Sequence, residues 1–226
     1  MLTVHHLNNS RSQRVLWLLE ELGVPYEVKR YERDPQTMQA PPELRAVHPL
    51  GKSPVVTDEG MVLAETGAIV EYILDRHGQG RLQPAKDGPH WWPYRHWMHH
   101  AEGSAMPPLV MTLLLNRAAE KVPPEARDAM LKIRDGFVAP GLERMKQYWN
   151  DALSGTGWFA GPEMTAADIM MSFPLETAAQ RAPFGEARPN PARFLARIHD
   201  LPAYRRALER GGPYAYAWRN TGFRHA

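Results

Sequence analysis

Residues 2–23 read LTVHHLNNSRSQRVLWLLEELG and predict a short strand followed by a helix. The first six residues, LTVHHL, form an apolar run with a β-branched centre, which is typical of a buried strand. The polar cluster NNSRS follows and supplies a turn and a helix cap, for which Ser10 or a neighbour is the candidate. Apolar side chains at helical spacing then lead to Gly23, and glycine commonly ends helices, so we expect the helix over 11–22.

The next part of the chain predicts the rest of a sheet around that first strand. Three segments have the composition of strands, at 26–31, 54–57 and 61–64. A Pro-rich stretch between the first two has room for one helical turn at 42–46, and a longer helix is expected from Glu65. A parallel pair of strands needs a crossover helix, whereas an antiparallel pair can use a tight turn. The order βαβαββα therefore predicts an α/β domain on a mixed four-stranded sheet.

The second half of the chain has the pattern of an all-helical domain. Residues 78–90, GQGRLQPAKDGPH, are rich in Gly, Pro and polar residues and predict a linker between domains at 1–77 and 91–226. Thr165 and Asp168 have the spacing of a capping box, which we interpret as a folding signal. Helices are expected at about 91–116, 124–152, 166–180, 190–198 and 202–210, followed by an irregular stretch over 211–226 that carries Tyr214, Tyr216, Trp218 and Phe223.

The composition limits the chemistry of the chain. It has 226 residues and a net charge of +2, too small an excess to attract polyanions, so no nucleic-acid partner is expected. No window approaches about 18 apolar residues and the first residues lack a signal-peptide pattern, so we expect no membrane span and a cytoplasmic location. The chain has 0 Cys, which excludes disulfides, thiolate metal sites and a cysteine nucleophile of its own.

Ser10 is the first candidate for chemistry because it lies between the first strand and the first helix. A helix N-terminus stabilises a thiolate through unpaired N–H groups and partial positive charge, and a hydroxyl there can donate a hydrogen bond to the sulfur. Since the protein has no thiol, that thiolate would belong to a ligand. The alternative is that Ser10 is only a helix cap.

The segment HPLGKSP, residues 48–54, is the second candidate. A cis bond between Ser53 and Pro54 would turn the Ser53 backbone outward at the end of the sheet, where it could pair with an extended peptide. Cis bonds are a minority before proline, which favours the structural alternative. Lys52 beside them could hold a carboxylate.

The segment AETG, residues 64–67, is the third candidate. Thr66 and the helix N-terminus could bind a carboxylate, and Glu65 could bind an ammonium group. The alternative is structural, because Glu and Thr are common where helices begin. Taken together, the three segments would suit a small acidic peptide that carries a thiol.

At these residues the sequence resembles the glutathione transferase family. The resemblance is carried by SRSQRVLWLLEELGVPYE, PPELRAVHPLGKSPVV and LAETGAIVEYIL, and it continues in HHAEGSAMPPLVM and GPEMTAADIMMSFPLE. It is closest to bacterial and fungal serine-type transferases with SR-x-x-R-x-x-WLLEEL and HPLG-[KR]-SP signatures. The resemblance implies a thioredoxin-like domain that binds glutathione, an all-helical domain that contributes the pocket for a hydrophobic electrophile, and a homodimer.

The resemblance also implies roles for individual residues. Ser10 matches the serine that contacts the glutathione sulfur, with Asn9 and Ser12 as alternates. Ser53 and Pro54 match the residues that pair with the cysteinyl backbone, although Ser53 stands where Val or Ile is usual. Lys52 matches a residue that contacts the glycine carboxylate. Glu65 and Thr66 match the residues that contact the γ-glutamyl group. Glu102 matches an acidic residue that reaches the partner subunit's glutathione.

The predicted function is transfer of glutathione to electrophilic small molecules. A glutathione-dependent peroxidase, isomerase or dehalogenase would use the same site, and a binding module without turnover is a further alternative. For the second substrate, Trp, Tyr, His and Met side chains over 91–111 are candidates, with core and dimer packing as the alternative. His96, His99 and His100 have the spacing of metal ligands on a helix, but nothing nearby completes a site, so no metal is expected.

Overall fold

A four-stranded sheet lies at the centre of the N-terminal half of the protein, in a computed structural model that describes residues 1–217. The strand order is β2-β1-β3-β4, with β1 and β2 parallel and the other two pairings antiparallel. The predicted mixed sheet is therefore confirmed. The strands are β1 Thr3–Leu7, β2 Glu27–Tyr31, β3 Val55–Asp58 and β4 Met61–Ala64.

Helix α1, Gln13–Leu22, follows β1 and is buried along most of its length. Its residues 15–19, VLWLL, are all fully buried, so apolar area is removed from water on several sides of the helix. The helix ends at Gly23, whose φ of 65° is left-handed and favours glycine. The N-cap position is Ser12, a neighbour of Ser10, and its hydroxyl makes no capping hydrogen bond.

By its contacts the chain forms two compact units, which divide it differently from the predicted domains. The sheet unit contains Met1–Trp91 and the described chain from Arg197 onward, and the helical unit contains Trp92–Ala196. The sheet unit includes the helices α2 Pro42–Val47, α3 Thr66–Ile73 and α10 Pro202–Gly211. Its last segment belongs there because α10 packs against α1 and β2.

Polar and aromatic contacts connect α10 to the elements formed at the start of the chain. The ring of Trp17 meets the ring of Tyr204 edge-on, with centroids 5.2 Å apart. Glu20 of α1 accepts hydrogen bonds from the Tyr26 hydroxyl at 2.9 Å and from Arg206 at 2.8 Å. Arg210 donates to the Tyr26 carbonyl at 2.8 Å. These side chains therefore join α1, α10 and the residues before β2.

The helical unit confirms the predicted pattern of long helices after the linker. Two of the predicted helices are interrupted by π-helical turns, at Ala101–Ala105 and Arg134–Val138. The capping box of Thr165 and Asp168 is present at the start of α8. Beyond α3 and α10 the helices are α4 Trp91–His100, α5 Met106–Ala119, α6 Pro124–Ile133, α7 Ala139–Ala152, α8 Ala166–Arg181 and α9 Pro189–His199.

The segment after α10 has no helix or strand up to residue 217, as predicted for 211–226. Its residues Tyr214 and Tyr216 have their rings in an edge-on contact at 5.6 Å. Trp218 and Phe223 lie outside the described residues. Within residues 1–217, none of the helices has the length and apolar character needed to cross a membrane.

Candidate active site

The register of the sheet brings the three candidate segments to one edge. Val55 of β3 pairs with His5 of β1 on one side and with Ala64 of β4 on the other. Beyond this row, β1 leads to Ser10, β4 leads to Glu65, and β3 is preceded by Pro54. Because β3 is antiparallel to both neighbours, its beginning meets the ends of the other two strands.

Three serine hydroxyls form the centre of this edge. The hydroxyl of Ser10 lies 2.7 Å from that of Ser12 and 3.4 Å from that of Ser53. The Ser12 backbone N–H donates to the Ser10 hydroxyl at 3.3 Å. Ser10 is only 4% exposed and Ser12 is fully buried, so protein groups rather than bulk water are the main partners of these hydroxyls.

Ser53 is tied to β1 through its side chain. Its hydroxyl donates to the carbonyl of His5 at 2.8 Å and accepts from the backbone N–H of Leu7 at 3.2 Å. The peptide bond between Ser53 and Pro54 is cis, which is the less frequent of the two forms considered from the sequence.

His6 extends the serine cluster into the interior. Its Nδ1 lies 2.8 Å from the Ser12 hydroxyl. Burial lowers the pKa of His6 to about 4, with a smaller contribution from the positive charge of Arg30, while a hydrogen bond to the backbone of Gly211 acts in the opposite direction. The imidazole is therefore neutral at physiological pH.

Asn9, directly before Ser10, has a left-handed φ of 50°, a conformation that Asn adopts more readily than most residues. Its side-chain oxygen accepts a hydrogen bond from the backbone N–H of Ala215 at 2.7 Å. The turn that carries Ser10 is thus joined to the chain that follows α10.

Glu65 and Thr66 lie at the start of α3. Glu65 is exposed and has a φ of 69°, which is uncommon for a residue of this type. Thr66 is buried, and its hydroxyl accepts a hydrogen bond from Arg14 of α1 at 3.3 Å. The first N–H groups of the helix have no partner within it, so this position suits a carboxylate.

The remaining predicted residues lie on the loop before Pro54 and in the helical unit. Lys52 is exposed beside Ser53. Glu102 lies in the helical unit, in the turn Ala101–Ala105. Of the candidates for the second substrate, Trp97 and Met106 are buried in that unit, whereas Trp92 is exposed.

His96 and His100 of α4 belong to an aromatic group in the helical unit, whereas the ring of His99 contacts Arg95. His96 lies 3.0 Å from the Tyr148 hydroxyl, and His100 accepts from the Trp149 ring nitrogen at 3.0 Å. Burial lowers the pKa of His100 to about 4, and the charge of His96 adds to the shift. Nowhere in residues 1–217 do three or more His, Asp or Glu side chains form a group that could hold a metal ion.

Sequence reasoning missed two residues beside the candidate site. Arg14 is part of the quoted SR-x-x-R pattern, and that pattern was the available signal for its contact with Thr66. His6 has no comparable signal, because a histidine in a strand gives no indication of which hydroxyl it will contact.

Comparisons with known proteins agree with the resemblance in the sequence. The model of the glutathione S-transferase N-terminal domain matches residues 1–75. Glutathione S-transferase 3 of Schizosaccharomyces pombe is 34% identical over 214 residues, covering 93% of this chain and 88% of that protein. Glutathione S-transferase 1 of Saccharomyces cerevisiae is 31% identical over 193 residues, covering 80% and 82%. A crystal structure of a glutathione S-transferase from Actinobacillus pleuropneumoniae superposes with a TM-score of 0.79 at 31% identity, covering 100% of this chain and 98% of that one.

Proposed function

Because the chain belongs to the glutathione S-transferase family, we propose that Ser10 is the residue that holds and polarises the sulfur of glutathione. The protein is a glutathione transferase, with a thioredoxin-like N-terminal domain followed by a helical domain. The observation that carries the assignment is the hydrogen-bond arrangement of Ser10, Ser12 and Ser53.

The available hydroxyl hydrogen favours Ser10 over Ser12 as the sulfur contact. A neutral imidazole has one N–H, and we assign it to the hydrogen bond with the Gly211 backbone, which makes Nδ1 of His6 the acceptor for the single hydrogen of Ser12. The hydrogen of Ser53 is donated to the His5 carbonyl. The hydrogen of Ser10 has only other hydroxyl oxygens nearby in this cluster, and a thiolate is a stronger acceptor than these.

Asn9 is the weaker alternate because its side-chain oxygen already accepts from Ala215. That contact assigns the Asn9 side-chain oxygen to supporting the turn.

The energy required for ionisation matches what this arrangement supplies. A free thiol titrates near about 8.5, and lowering its pKa by about two units requires roughly 2.7 kcal/mol. A hydrogen bond to a charged group contributes about 1.5–3 kcal/mol, and the N-terminal end of α1 adds about 0.3–1 kcal/mol. The proton of the thiol is released to solvent, so no protein base has to hold it.

The transfer step then follows from the thiolate. A lone pair of the glutathione sulfur forms a bond to the electrophilic carbon of the second substrate. In a substitution the leaving group departs with its bonding electrons, and in an addition a proton from solvent completes the product. The hydroxyl of Ser10 donates its hydrogen bond throughout and forms no covalent bond itself.

The other edge residues are proposed to bind the rest of the tripeptide. The Ser53 backbone, next to the cis bond to Pro54, pairs with the cysteinyl residue. Lys52 binds the glycine carboxylate, while Thr66 with the start of α3 binds the γ-glutamyl carboxylate and Glu65 binds its ammonium group.

The helical unit is proposed to contribute the pocket for a hydrophobic electrophile, since its α4 and α5 carry Trp, Tyr and Met side chains suited to adaptable apolar contacts. We also propose a homodimer, in which Glu102 approaches the glutathione of the other subunit. Sedimentation analysis would measure the mass, and the monomer mass at micromolar concentration would contradict the dimer.

A cytoplasmic location is proposed because reduced glutathione is maintained in the cytosol. Cell fractionation with detection of the intact chain would test it.

Binding and turnover together test the proposed function. The full chain should bind immobilised glutathione and conjugate it to a chlorodinitrobenzene-type substrate, with a hydroperoxide assayed in parallel. Ser10→Ala should lower turnover about ten- to a hundredfold, because it removes about 1.5–3 kcal/mol of stabilisation of the thiolate. It should also raise the pKa of the bound thiol. Binding without either activity would favour a binding module, and unchanged kinetics in Ser10→Ala would remove Ser10 from this role.

A further inference from the structure

We propose that residues 211–217, the end of α10 and the segment that follows it, are a positioning element for the Ser10 hydroxyl. The inference rests on the proposed role of Ser10. The segment acts through two hydrogen bonds, one to the turn that contains Ser10 and one to the strand that precedes it. It is assigned no contact with glutathione.

The first of these hydrogen bonds reaches the residue next to Ser10. The backbone N–H of Ala215 donates to the side-chain oxygen of Asn9 at 2.7 Å. Asn9 has left-handed backbone geometry, so the direction in which the chain enters Ser10 depends on this residue. Holding the Asn9 side chain from a separate part of the chain therefore holds the turn.

The second hydrogen bond reaches Ser10 through two side chains. The backbone of Gly211 lies against the ring of His6 and hydrogen-bonds to it, Nδ1 of that ring lies 2.8 Å from the Ser12 hydroxyl, and Ser12 contacts Ser10 at 2.7 Å. His6 is 2% exposed, so solvent competes little for this series of contacts.

Gly211 has no room for a side chain at this point. A Cβ atom there would lie 2.9 Å from the side chains of Gln13 and Leu16 and 3.3 Å from the ring of His6. The close approach of the Gly211 backbone to His6 therefore depends on glycine.

The segment is itself anchored, as a positioning element must be. Tyr214 and Ala217 are buried, and the Ala217 N–H donates to the Tyr214 carbonyl at 3.3 Å. This bond closes a four-residue turn in which Ala215 occupies the second position. The guanidinium of Arg30 lies against Gly212 at the end of α10.

This turn allows the first contact to be removed without changing the contacting side chains. Proline is favoured at the second position of such turns and has no N–H. Ala215→Pro therefore deletes the donor to Asn9, whereas Ala215→Ser keeps it and is the matched control. Ala215 is exposed, so neither change introduces bulk into the interior.

We expect Ala215→Pro to lower kcat about three- to tenfold, the range for loss of one hydrogen bond, with KM for glutathione within about twofold of the wild type. The pKa of the bound thiol, read from thiolate absorbance against pH, should rise. Ala215→Ser should match the wild type in both measurements, and circular dichroism melting of both variants records their folding.

A Ser10→Ala background separates positioning from general damage. If the segment acts through Ser10, Ala215→Pro should have no further effect on kcat when residue 10 is alanine. The proposal would be overturned if Ala215→Pro lowered kcat equally whether residue 10 is serine or alanine. Identical kinetics for Ala215→Pro and Ala215→Ser would also overturn it. Failure of the proposed function is distinguishable, since it would appear in the wild type as absent turnover with glutathione.

Discussion

At the residue scale, the chemistry of the site depends on where three hydroxyl hydrogens point. The Ser53 hydroxyl donates to the His5 carbonyl and that of Ser12 lies beside Nδ1 of His6, whereas the Ser10 hydroxyl contacts the hydroxyls of Ser12 and Ser53. We therefore propose different roles for similar side chains that lie a few ångströms apart. The difference arises from the acceptors that the sheet supplies and not from the serines themselves.

Ser12→Ala should lower the unfolding free energy more, and turnover less, than Ser10→Ala does. It leaves Nδ1 of the buried His6 without its donor, and such an unsatisfied group costs about 1–3 kcal/mol of unfolding free energy. Turnover should fall less than in Ser10→Ala. Urea unfolding and steady-state kinetics on both variants check this, and the assignment fails if Ser12→Ala is the more damaging change for turnover.

Acidification should destabilise the protein through His6. Its pKa is about 4 in the folded state, against 6.5 for the ordinary value, so between these two pH values the unfolded state binds more protons. The unfolding free energy therefore falls as the pH falls through this window, by about 2 kcal/mol between pH 7 and pH 5 for this one residue. His100 contributes with the same sign.

His6→Asn isolates that contribution, because asparagine keeps an acceptor near the position of Nδ1 and does not titrate. Urea unfolding at pH 7 and pH 5 should show that the unfolding free energy falls less in the variant than in the wild type. Equal losses in the two proteins would show that His6 does not account for the effect.

At the scale of the element, capping residues and prolines determine where helices begin and where their hydrogen-bond pattern changes. The spacing of apolar residues does not predict these positions. The two π-helical turns of the helical unit, Ala101–Ala105 and Arg134–Val138, are each followed one residue later by proline, with Pro107 and Pro108 in α5 and Pro140 in α7. Proline lacks an N–H and its ring crowds the carbonyl four residues earlier, so the local hydrogen-bond pattern changes there. The apolar pattern alone predicted uninterrupted helices.

The capping box of α8 should be a large contributor to stability. Asp168 is fully buried, and its carboxylate accepts from the backbone N–H groups of Thr165 and Phe159, both at 2.8 Å. Burial raises the pKa of Asp168 to about 6, while these hydrogen bonds act against the shift. Asp168→Ala should lower the unfolding free energy by about 2 kcal/mol, because two backbone donors lose their acceptor.

Glu163→Ala, at an exposed acidic residue nearby, is the control for that measurement. It should leave the urea midpoint within experimental error of the wild type. A similar effect of the two substitutions would mean that the capping contacts are not the cause.

At the scale of the whole molecule, the sheet unit is built from two parts of the chain that are far apart in sequence. Local patterns predicted its strands and helices well, and the grouping of the three candidate segments followed from the expected strand order. They did not predict that α10 would cover α1, because the apolar pattern of a helix does not specify which other element it packs against. The roles of His6 and of Ala215 were missed for the same reason, since both depend on this long-range packing.

Gly212→Ala should weaken the packing of α10 against α1 more than Gly23→Ala does. Both glycines have a positive φ, but a Cβ at Gly23 meets nothing within 4 Å, whereas one at Gly212 would overlap the guanidinium of Arg30. Gly212 also has a ψ of −162°, in a region that is essentially restricted to glycine. We expect Gly23→Ala to cost about 1–2 kcal/mol and Gly212→Ala more.

Hydrogen exchange would locate the effect of Gly212→Ala. Amide protection should fall in α1 and α10 together, because the two helices open as one cooperative unit. Loss confined to α10 would contradict this view of the junction.

The return of α10 to α1 also has a consequence during synthesis. Chains leave the ribosome from the N-terminus at about 5–20 residues per second. Helix α1 emerges early, but α10, which covers it, emerges after about 200 residues. For the intervening seconds the nascent polypeptide presents an incompletely covered apolar helix, so we expect it to bind chaperones that shield such surfaces at the tunnel exit.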